Sequence, residues 1–334
     1  MPLHASGSLK IIAQDRQGEG AVGQITSDVS VIIPFYNRET YVDEAIQSVL
    51  AQTLKPLELI VVNDCSRESS RRYLDRYSEV CKIVDLPANV GLAGSRNAGV
   101  REARGRFVAF LDDDDLWLPR KLEVQRAYMR DHPECAIVHC AAWFFYKDGT
   151  EEYYKRFDPG PMTLAQSITN SYWAIIPTCM VRTDVMKAVQ GFDVAYRECE
   201  DRDFIIRCCA AGYRVEGLTE PLARVRRIGQ DGLTSRHWRL YRTDLRMCWK
   251  HRAYYLRAYG PRGILSFVLE KIYQPSSKTR LVDGAVRRLT RWVKVKYDIR
   301  PGYRDPVPVA ASQQPGPISQ WPPEATNFAG GNCK

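Results

Sequence analysis

Four consecutive aspartates, Asp112–Asp115, are the residues of this sequence with the most distinctive chemistry. They follow Arg106–Leu111, an apolar run with the character of a buried strand. Adjacent carboxylates repel one another, and at the end of a buried strand that repulsion is costly unless a cation balances it. A calcium loop of the EF-hand type needs alternating ligands, and none follow. The pattern therefore favours Mg²⁺ or Mn²⁺, held by one or two carboxylates and substrate phosphates, over a solvated acidic loop.

Two further polar clusters follow apolar runs in the same way. Phe35-Tyr36-Asn37 comes after Val29–Pro34, and Asn63-Asp64 comes after Leu57–Val62. An aromatic ring at such a position can stack on a nucleotide base. If the runs are strands of one parallel sheet, all these polar groups converge at the edge where such sheets bind their ligands.

The spacing of apolar residues predicts the elements that would position these groups. Up to Trp117 we predict strands at Val29–Pro34, Leu57–Val62, Cys81–Leu86 and Arg106–Leu111, and helices at Tyr41–Leu54, Arg71–Tyr77 and Leu92–Ala103. Further on we predict helices at Lys121–Met129, Met162–Asn170, Asp201–Ala211 and from Arg236, and strands at Ala136–His139, Cys179–Val181, Tyr213–Glu216 and Leu222–Val225. Alternating helices and near-continuously apolar strands indicate an α/β fold, with a mostly parallel sheet covered by helices on both faces.

The composition is that of one large globular domain with an appendage. The chain has 334 residues, of which 45% are apolar and 26% charged. No apolar run reaches the roughly 18 residues of a membrane span, and Met1–Asp28 lacks the apolar core of a signal peptide. The ten cysteines include no C-x-x-C pair, so we expect reduced thiols in a cytoplasmic protein and no zinc site.

Positive charge is concentrated in the C-terminal third of the chain. Between Arg224 and Asp305 there are 21 Lys and Arg against 6 Asp and Glu, a surplus of 15. Because the whole chain carries +9, the remainder carries −6. The surplus predicts an anionic partner, such as a membrane surface, and no nucleic-acid motif accompanies it. A helical cap packed on the rest of the protein is the alternative for this region.

Six blocks of sequence stand in an order typical of one enzyme family. They are VSVIIPFYNRE (Val29–Glu39), ELIVVNDCS (Glu58–Ser66), NVGLAGSRNAGV (Asn89–Val100), GRFVAFLDDDDLW (Gly105–Trp117), GFD (Gly191–Asp193) and ECEDRDF (Glu198–Phe204). Together they resemble family 2 glycosyltransferases, which are inverting enzymes with the GT-A fold. The resemblance extends from Val29 to about Ser235, more than half of the chain.

The resemblance implies a nucleotide site at the sheet edge. Pro34 and Tyr36 match positions that line the base, and Glu39 falls in the same loop. Asp64 matches a carboxylate that accepts a hydrogen bond from the base. Arg96 matches an arginine of the nucleotide pocket, where a diphosphate invites charge-assisted hydrogen bonds. A solvent-facing helix arginine is the alternative for Arg96.

The acidic run matches the family pattern Asp-x-Asp-Asp. That places Asp112 on the ribose side, with a share in the metal site, and Asp114 on the metal itself. Asp113 holds the variable position beside the nucleotide. Asp115 would contact the residues that bind the metal rather than the metal itself. The resemblance thus implies a Mn²⁺ or Mg²⁺ cofactor that neutralises the diphosphate leaving group.

The catalytic base is expected on the pair Glu200-Asp201, with Asp201 favoured. An inverting transfer needs a carboxylate that takes the proton of the acceptor hydroxyl as its oxygen attacks the anomeric carbon. Asp203 and Glu198 are the reserve candidates. The alternative for such acidic residues is stabilisation of a helix N-terminus.

One part of the sequence departs from the family. Many relatives carry Arg-x-His after the last short strand, and here Gly229 stands where that histidine would be. If that histidine helps to hold metal or phosphate in the relatives, then water, Asp231 or His237 must replace it here, or the metal is bound more weakly. A second difference concerns processive members, which carry Gln-x-x-Arg-Trp and membrane helices. Arg291-Trp292 lacks the glutamine, so we predict transfer of a single sugar.

The expected function is metal-dependent transfer from a nucleotide-sugar, with UDP-sugars as the default donor, to a glycan or lipid-linked acceptor in cell-envelope or exopolysaccharide synthesis. A catalytically inactive nucleotide-sugar-binding homologue and a nucleotidyltransferase-type enzyme are the alternatives. The first usually lacks the carboxylates present here, and the second usually has a glycine-rich loop after its first strand.

We expect four segments along the chain. The glycosyltransferase domain occupies 29–232, after a flexible segment at 1–28. A basic helical region at 233–300 follows, whose residues 236–300 would contact an anionic membrane at the inner face of the plasma membrane. The tail at 301–334 is predicted to be disordered.

Overall fold

The structure, a computed structural model, describes residues 27–155, 157, 160–168, 174–227, 237–257 and 260–261. Its strands β1 to β9 are Val29–Phe35, Glu58–Asn63, Lys82–Asp85, Phe107–Phe110, Leu116–Trp117, Cys135–Tyr146, Glu151–Tyr154, Met180–Arg182 and Arg214–Arg227. Its helices α1 to α8 are Glu39–Leu50, Glu68–Tyr73, Gly91–Glu102, Lys121–Asp131, Leu164–Ile168, Thr183–Ala188, Glu200–Ala210 and His237–Lys250. The predictions for the N-terminal segment, for most of the basic region and for the tail lie outside the described residues.

All nine strands belong to one sheet, in the order β3-β2-β1-β4-β8-β6-β9-β5, with β7 paired to β6. The first four strands are parallel to one another, as predicted. Beyond β4 the sheet is mixed, because β8 runs antiparallel to both β4 and β6, whereas β6 and β9 are parallel. The carboxyl ends of β1, β2 and β4 therefore share one edge.

The two faces of the sheet carry separate hydrophobic cores. Alternate residues of a strand point to opposite faces. Val31 and Ile33 of β1 pack in a cluster with Ile46 of α1. Ile32 lies in a second cluster, which includes residues of α3 and Phe204 of α7. The prediction that helices cover both faces is therefore confirmed.

The longest strands exceed their predicted lengths. β6 has 12 residues where four were predicted, and β9 joins two predicted short strands into one. Eleven of the twelve β6 residues are buried, so no alternation of polar and apolar residues marks its course. Register shifts around Ala141 accommodate the interruption of β9 near Pro221.

Three short elements escaped prediction, namely β5, β7 and α6. They have two, four and six residues, which is too few for a periodic pattern to emerge. The first helix ends at Leu50, four residues before its predicted end. There the chain turns away, and the Thr53 N–H donates to the Pro119 carbonyl at 2.8 Å.

Cysteines and helix hydropathy can be described for the part of the chain that the structure covers. All nine cysteines in it are free thiols, most of them buried. None of its helices combines the length and the hydropathy that crossing a membrane requires.

Close packing of α3 on β1 sets the position of the site. A Cβ atom on Gly99 would lie 2.4 Å from Cγ2 of Ile32. At the other side of α3, the Asn97 amide accepts the N–H of Phe192 and donates to its carbonyl, both at 2.8 Å. These contacts hold α3 between the sheet and the turn that precedes α7.

We expect Gly99→Ala to lower the free energy of unfolding by about 1–3 kcal/mol, because the added methyl group overpacks the contact with Ile32. Urea unfolding monitored by circular dichroism measures this change. Arg101→Ala, on the exposed side of the same helix, should stay within about 0.5 kcal/mol of the wild type. Equal effects of the two substitutions would contradict the packing argument.

Candidate active site

The loops that follow β1, β2 and β4 interlock through hydrogen bonds. The Tyr36 N–H donates to Asp113 Oδ2 at 3.4 Å, which joins the first loop to the acidic run. The Asn37 N–H donates to the Ser66 hydroxyl at 3.2 Å, and Asn37 Oδ1 accepts the N–H of Arg67 at 2.9 Å. The polar clusters singled out in the sequence thus come together at one sheet edge.

Three residues predicted to bind the nucleotide lie in the first loop or at its borders. Pro34 is buried within β1, where it pairs with Val62 of β2. The Tyr36 residue is 48% exposed, so its ring is available to a ligand. Glu39 is the first residue of α1, and its carboxylate accepts hydrogen bonds from Ser70 and Arg67 on the neighbouring segment.

Asp64 caps the N-terminus of α3 from across the sheet. Its two carboxylate oxygens accept the N–H groups of Val90, at 2.7 Å, and Gly91, at 2.9 Å. Helix N-termini carry unpaired N–H donors and a partial positive charge, so a carboxylate there is stabilising. Asp64 is therefore held in one orientation, and each oxygen keeps a second lone pair for a further donor.

Arg96 connects the acidic run to α7. Its side chain is only 2% exposed, and its guanidinium donates to Asp112 Oδ1 at 2.5 Å and to Glu200 Oε1 at 2.6 Å. Burial would lower the pKa of Arg96, but the negative charges of Asp112 and Glu200 outweigh burial and raise it. Arg96 is thus a buried, charged bridge rather than a surface arginine.

Glu200 and Asp201 begin α7 but have different surroundings. Glu200 is buried, and burial raises its pKa to about 7 although Arg96 acts in the opposite direction. Asp201 is partly exposed, and its Oδ1 accepts the N–H of Arg202 at 2.7 Å. The residue before them, Cys199, has a φ of 62°, a left-handed turn that starts the helix abruptly.

Two arginines without a predicted role hold the acidic run. Arg38, at the start of α1, lies 2.5 Å from Asp114 Oδ2 and 3.2 Å from Asp113 Oδ1. Arg226, on β9, donates to the backbone carbonyl of Asp114 at 2.9 Å. The N–H of Arg226 also reaches Asp115 Oδ1 at 2.8 Å. The run is therefore tied to both α1 and β9.

Negative charge nevertheless exceeds positive charge in the site. Five carboxylates, counting Glu200 with the acidic run, face the guanidinium groups of Arg38, Arg96 and Arg226. Burial raises the pKa of Asp113 to about 7, with Arg38 opposing it and Asp114 adding to it. Burial also raises the pKa of Asp114, and Asp112 raises it further.

These raised pKa values come first from burial, and repulsion between neighbouring carboxylates adds to them. The partly exposed Asp112 and Asp114 are consequently suited to a divalent cation. No group of three or more metal-ligating side chains is assembled among the residues that the structure describes. A cation here would take its remaining ligands from phosphate oxygens or water.

The reserve candidates for the base lie in the interior. Asp203 is fully buried, and its carboxylate contacts Lys250 at 2.7 Å, Arg207 at 2.8 Å and His251 at 2.9 Å. Burial alone would raise its pKa, but these partners lower it. Glu198 is buried as well, with Oε2 lacking a hydrogen-bond partner. Neither residue is exposed for proton transfer as Asp201 is.

Sequence reasoning missed Arg38, Arg226 and His251. Arg38 lies in the first family block, Val29–Glu39. The four adjacent aspartates indicated that arginines must lie near them, because so much negative charge needs positive partners. Arg226 and His251 carry no local signal, because their partners are more than 40 positions away in the chain. Gly229, the departure from the family pattern, and Asp231 lie outside the described residues, as does the His237 side chain.

Comparison with known proteins identifies the family and agrees with the fold. The profile described as "Glycosyl transferase family 2" matches residues 30–189. The chain is 30% identical over 214 residues to the putative teichuronic acid biosynthesis glycosyltransferase TuaG of Bacillus subtilis, covering 63% of this chain and 83% of TuaG. It is 41% identical over 102 residues to an Escherichia coli protein, covering 30% of this chain and 40% of that one. That protein is described as "UDP-Glc:alpha-D-GlcNAc-diphosphoundecaprenol beta-1,3-glucosyltransferase WfgD".

Two solved structures share the fold. Staphylococcus aureus TarS 1-349 in complex with UDP-GlcNAc has a TM-score of 0.58 and 21% identity, with 80% of each chain covered. The mannosyltransferase PcManGT from Pyrobaculum calidifontis, in complex with GDP-Man and Mn²⁺, has a TM-score of 0.51 and 16% identity, covering 82% of this chain and 83% of that one. At these identities the likeness establishes the fold alone.

The mixed sheet and its helices have the GT-A fold. Within that class, this chain belongs to glycosyltransferase family 2.

We expect Arg96→Met to lower the free energy of unfolding by about 3–5 kcal/mol at pH 8, because it leaves Glu200 as an unpaired buried charge and removes the partner of Asp112. The loss should be smaller at pH 5.5. The pKa of Glu200 already exceeds its unfolded value, and without Arg96 it rises further, so stability is retained at low pH and lost as pH rises through that pKa.

Denaturant unfolding at the two pH values measures both effects. Arg104→Met provides the matched control, since Arg104 is 74% exposed in its pair with Glu58 and the change should cost less than about 1 kcal/mol. A loss for Arg96→Met that does not depend on pH would contradict the assigned role of Glu200.

Proposed function

We propose that this protein transfers a single sugar, with inversion and with the aid of a divalent metal, from a nucleotide-sugar to a hydroxyl group of an acceptor. The observation that carries the proposal is the buried bridge from Asp112 through Arg96 to Glu200. It fixes the expected nucleotide side of the site relative to the start of α7. A reaction that needs both a bound donor and a carboxylate base gains from having these two parts held in a fixed relative position.

Asp201 is the proposed base. Glu200 is buried against Arg96, and Asp203 is engaged by Lys250 and His251, whereas Asp201 is partly exposed at the helix end. Asp201 would accept the proton of the acceptor hydroxyl while that oxygen forms a bond to the anomeric carbon. The bond from the anomeric carbon to the diphosphate oxygen breaks in the same step, and the nucleoside diphosphate leaves.

The nucleotide would bind along the edge formed by the β1, β2 and β4 loops. The exposed Tyr36 ring and the second lone pairs of Asp64 are the proposed contacts for the base, beside Pro34. Asp112 and Arg96 are proposed for the ribose and the diphosphate. Asp114 and Asp112 would hold Mn²⁺ or Mg²⁺, which supplies positive charge to the leaving diphosphate.

Arg38 occupies part of the proposed metal position. It contacts Asp114 at 2.5 Å, but its own side chain is 40% exposed and can move into solvent. A divalent cation at Asp114 would replace the single positive charge of Arg38 with two, at a site where carboxylates outnumber guanidinium groups. Metal binding should therefore release Arg38 towards the phosphates of the donor.

We propose a UDP-sugar as the donor and cell-envelope polysaccharide synthesis as the setting. TarS was solved with UDP-GlcNAc, WfgD is described as using UDP-Glc and a diphosphoundecaprenol acceptor, and TuaG is described as a teichuronic acid enzyme. The acceptor would accordingly be a glycan or lipid-linked sugar.

UDP should bind only when the metal is present. In calorimetric titrations with Mn²⁺ we expect saturable UDP binding that EDTA abolishes, and Asp114→Asn should weaken it at least about tenfold, because a metal-ligating charge is lost. Asp75→Asn, an exposed aspartate of the turn after α2, is the matched control and should bind as the wild type does. Metal-independent binding would argue against the proposed cofactor, and absence of binding by UDP, GDP and dTDP would argue against the nucleotide site.

Asp201→Asn should reduce turnover by about 10²–10⁴-fold, the usual contribution of a general base, while UDP affinity stays unchanged. Release of UDP from UDP-glucose and UDP-GlcNAc, with and without sugar acceptors, measures turnover. Glu198→Gln makes the same carboxylate-to-amide change three residues away and should leave turnover within a few fold. If Glu198→Gln were the inactive variant, the base would have to be reassigned.

A further inference from the structure

α8 and the helical residues after it present one face to solvent. The helix continues through His251, whose N–H donates to the Met247 carbonyl at 2.9 Å, into the helical residues 252–257. Exposed side chains recur along it at intervals of about one turn. They are Arg242, Arg246, Trp249, Arg252, Leu256 and Arg257, which we call the α8 stripe.

The apolar members of the stripe are not part of a core. The Trp249 residue is 72% exposed and Leu256 is 46% exposed. The opposite side of the helix buries Met247, Cys248 and Tyr255 in a cluster with Ile206 of α7. The helix therefore packs on the catalytic domain with one face and leaves a large indole ring in solvent on the other, which is costly unless something covers it.

The charge on the stripe has a single sign. Between residues 237 and 257 the sequence has only one acidic residue, Asp244, and its carboxylate is turned inward to Arg202 at 2.8 Å. The stripe thus carries four arginines and no carboxylate. The guanidinium of Arg252 lies 4.9 Å from the centre of the Trp249 ring, so cation and aromatic ring form one unit.

We propose that the α8 stripe binds the surface of an anionic lipid bilayer. Arginines that flank an exposed tryptophan and leucine match such a surface. Their guanidinium groups can reach the lipid phosphates, while the tryptophan and leucine side chains enter the boundary between the headgroups and the acyl chains. The proposal rests on the stripe alone and does not depend on the identity of the sugar donor.

Buried polar contacts make the stripe a rigid part of the catalytic domain. Arg202 pairs with Asp244, and Asp203 contacts both Lys250 and His251, so α8 is fixed to the first turn of α7. That turn also carries Asp201. Binding of the stripe to a bilayer therefore sets the orientation of the catalytic carboxylates relative to the lipid surface.

Sedimentation of the full chain with sucrose-loaded vesicles tests the proposal. We expect binding to equimolar phosphatidylcholine and phosphatidylglycerol but not to phosphatidylcholine alone, with a partition coefficient that falls as NaCl is added. The double substitution Arg242→Gln and Arg257→Gln should reduce that coefficient by about tenfold or more. Trp249→Ala should weaken binding further, including the part that persists at high salt.

The matched control removes the same charge elsewhere. Arg72→Gln with Arg130→Gln alters two exposed arginines of α2 and α4 and should leave vesicle binding unchanged. UDP titration of each variant reports whether its catalytic domain is intact. The proposal is overturned if anionic vesicles are not bound, if stripe and control variants bind alike, or if the stripe variants change only the molecular mass in light scattering, which would assign the stripe to a second copy.

Discussion

The site depends on one buried guanidinium group. Arg96 is almost inaccessible to solvent, and it can remain charged there only because Asp112 and Glu200 each hold one side of it. Asp112 lies two residues after the end of β4, and Glu200, the first residue of α7, is 88 positions further along the chain. The pair of contacts therefore fixes the sheet edge against the helix that carries the proposed base. Gly99 and Asn97, on the same helix as Arg96, set its depth and its rotation.

Around this bridge the protein keeps an excess of negative charge. Arg38 and Arg226 hold the acidic run in place, but the run carries more negative charge than these two guanidinium groups supply positive charge. Burial and repulsion between neighbouring carboxylates raise the pKa values of Asp113 and Asp114. A site with such an excess of negative charge suits a cation.

Helix α8 connects the start of α7 to the surface of the protein. Asp203 is charged in the interior because Arg207, Lys250 and His251 surround it, and two of these three residues belong to the segment of α8. The inner face of that segment completes the support of α7, while its outer face is basic and exposed. One helix therefore links the carboxylates at the start of α7 to an exposed basic surface.

Local pattern determined much of this protein. The buried runs of β1, β2 and β4, the helix α3 and the acidic run were all predictable, because apolar periodicity and runs of like charge are properties of neighbouring residues. The family and the GT-A fold followed from blocks such as Gly105–Trp117. The length of β6 did not, since a strand that is buried almost throughout lacks the alternation that marks its ends. The sequence predicted β9 as two strands, because its middle at Thr219 and Glu220 is polar and exposed.

Tertiary structure alone decided which charges meet. Glu200 and Asp201 are adjacent in sequence, yet the first is buried against Arg96 and the second is partly exposed. The left-handed turn at Cys199 starts α7 where one side of the helix faces the interior and the other faces solvent. The partners of Asp115 and Asp203 lie more than 40 residues away. The energy of an ion pair depends on the distance between the two charges and on their burial. Neither can be read from neighbouring residues in the sequence, because both depend on how distant segments pack.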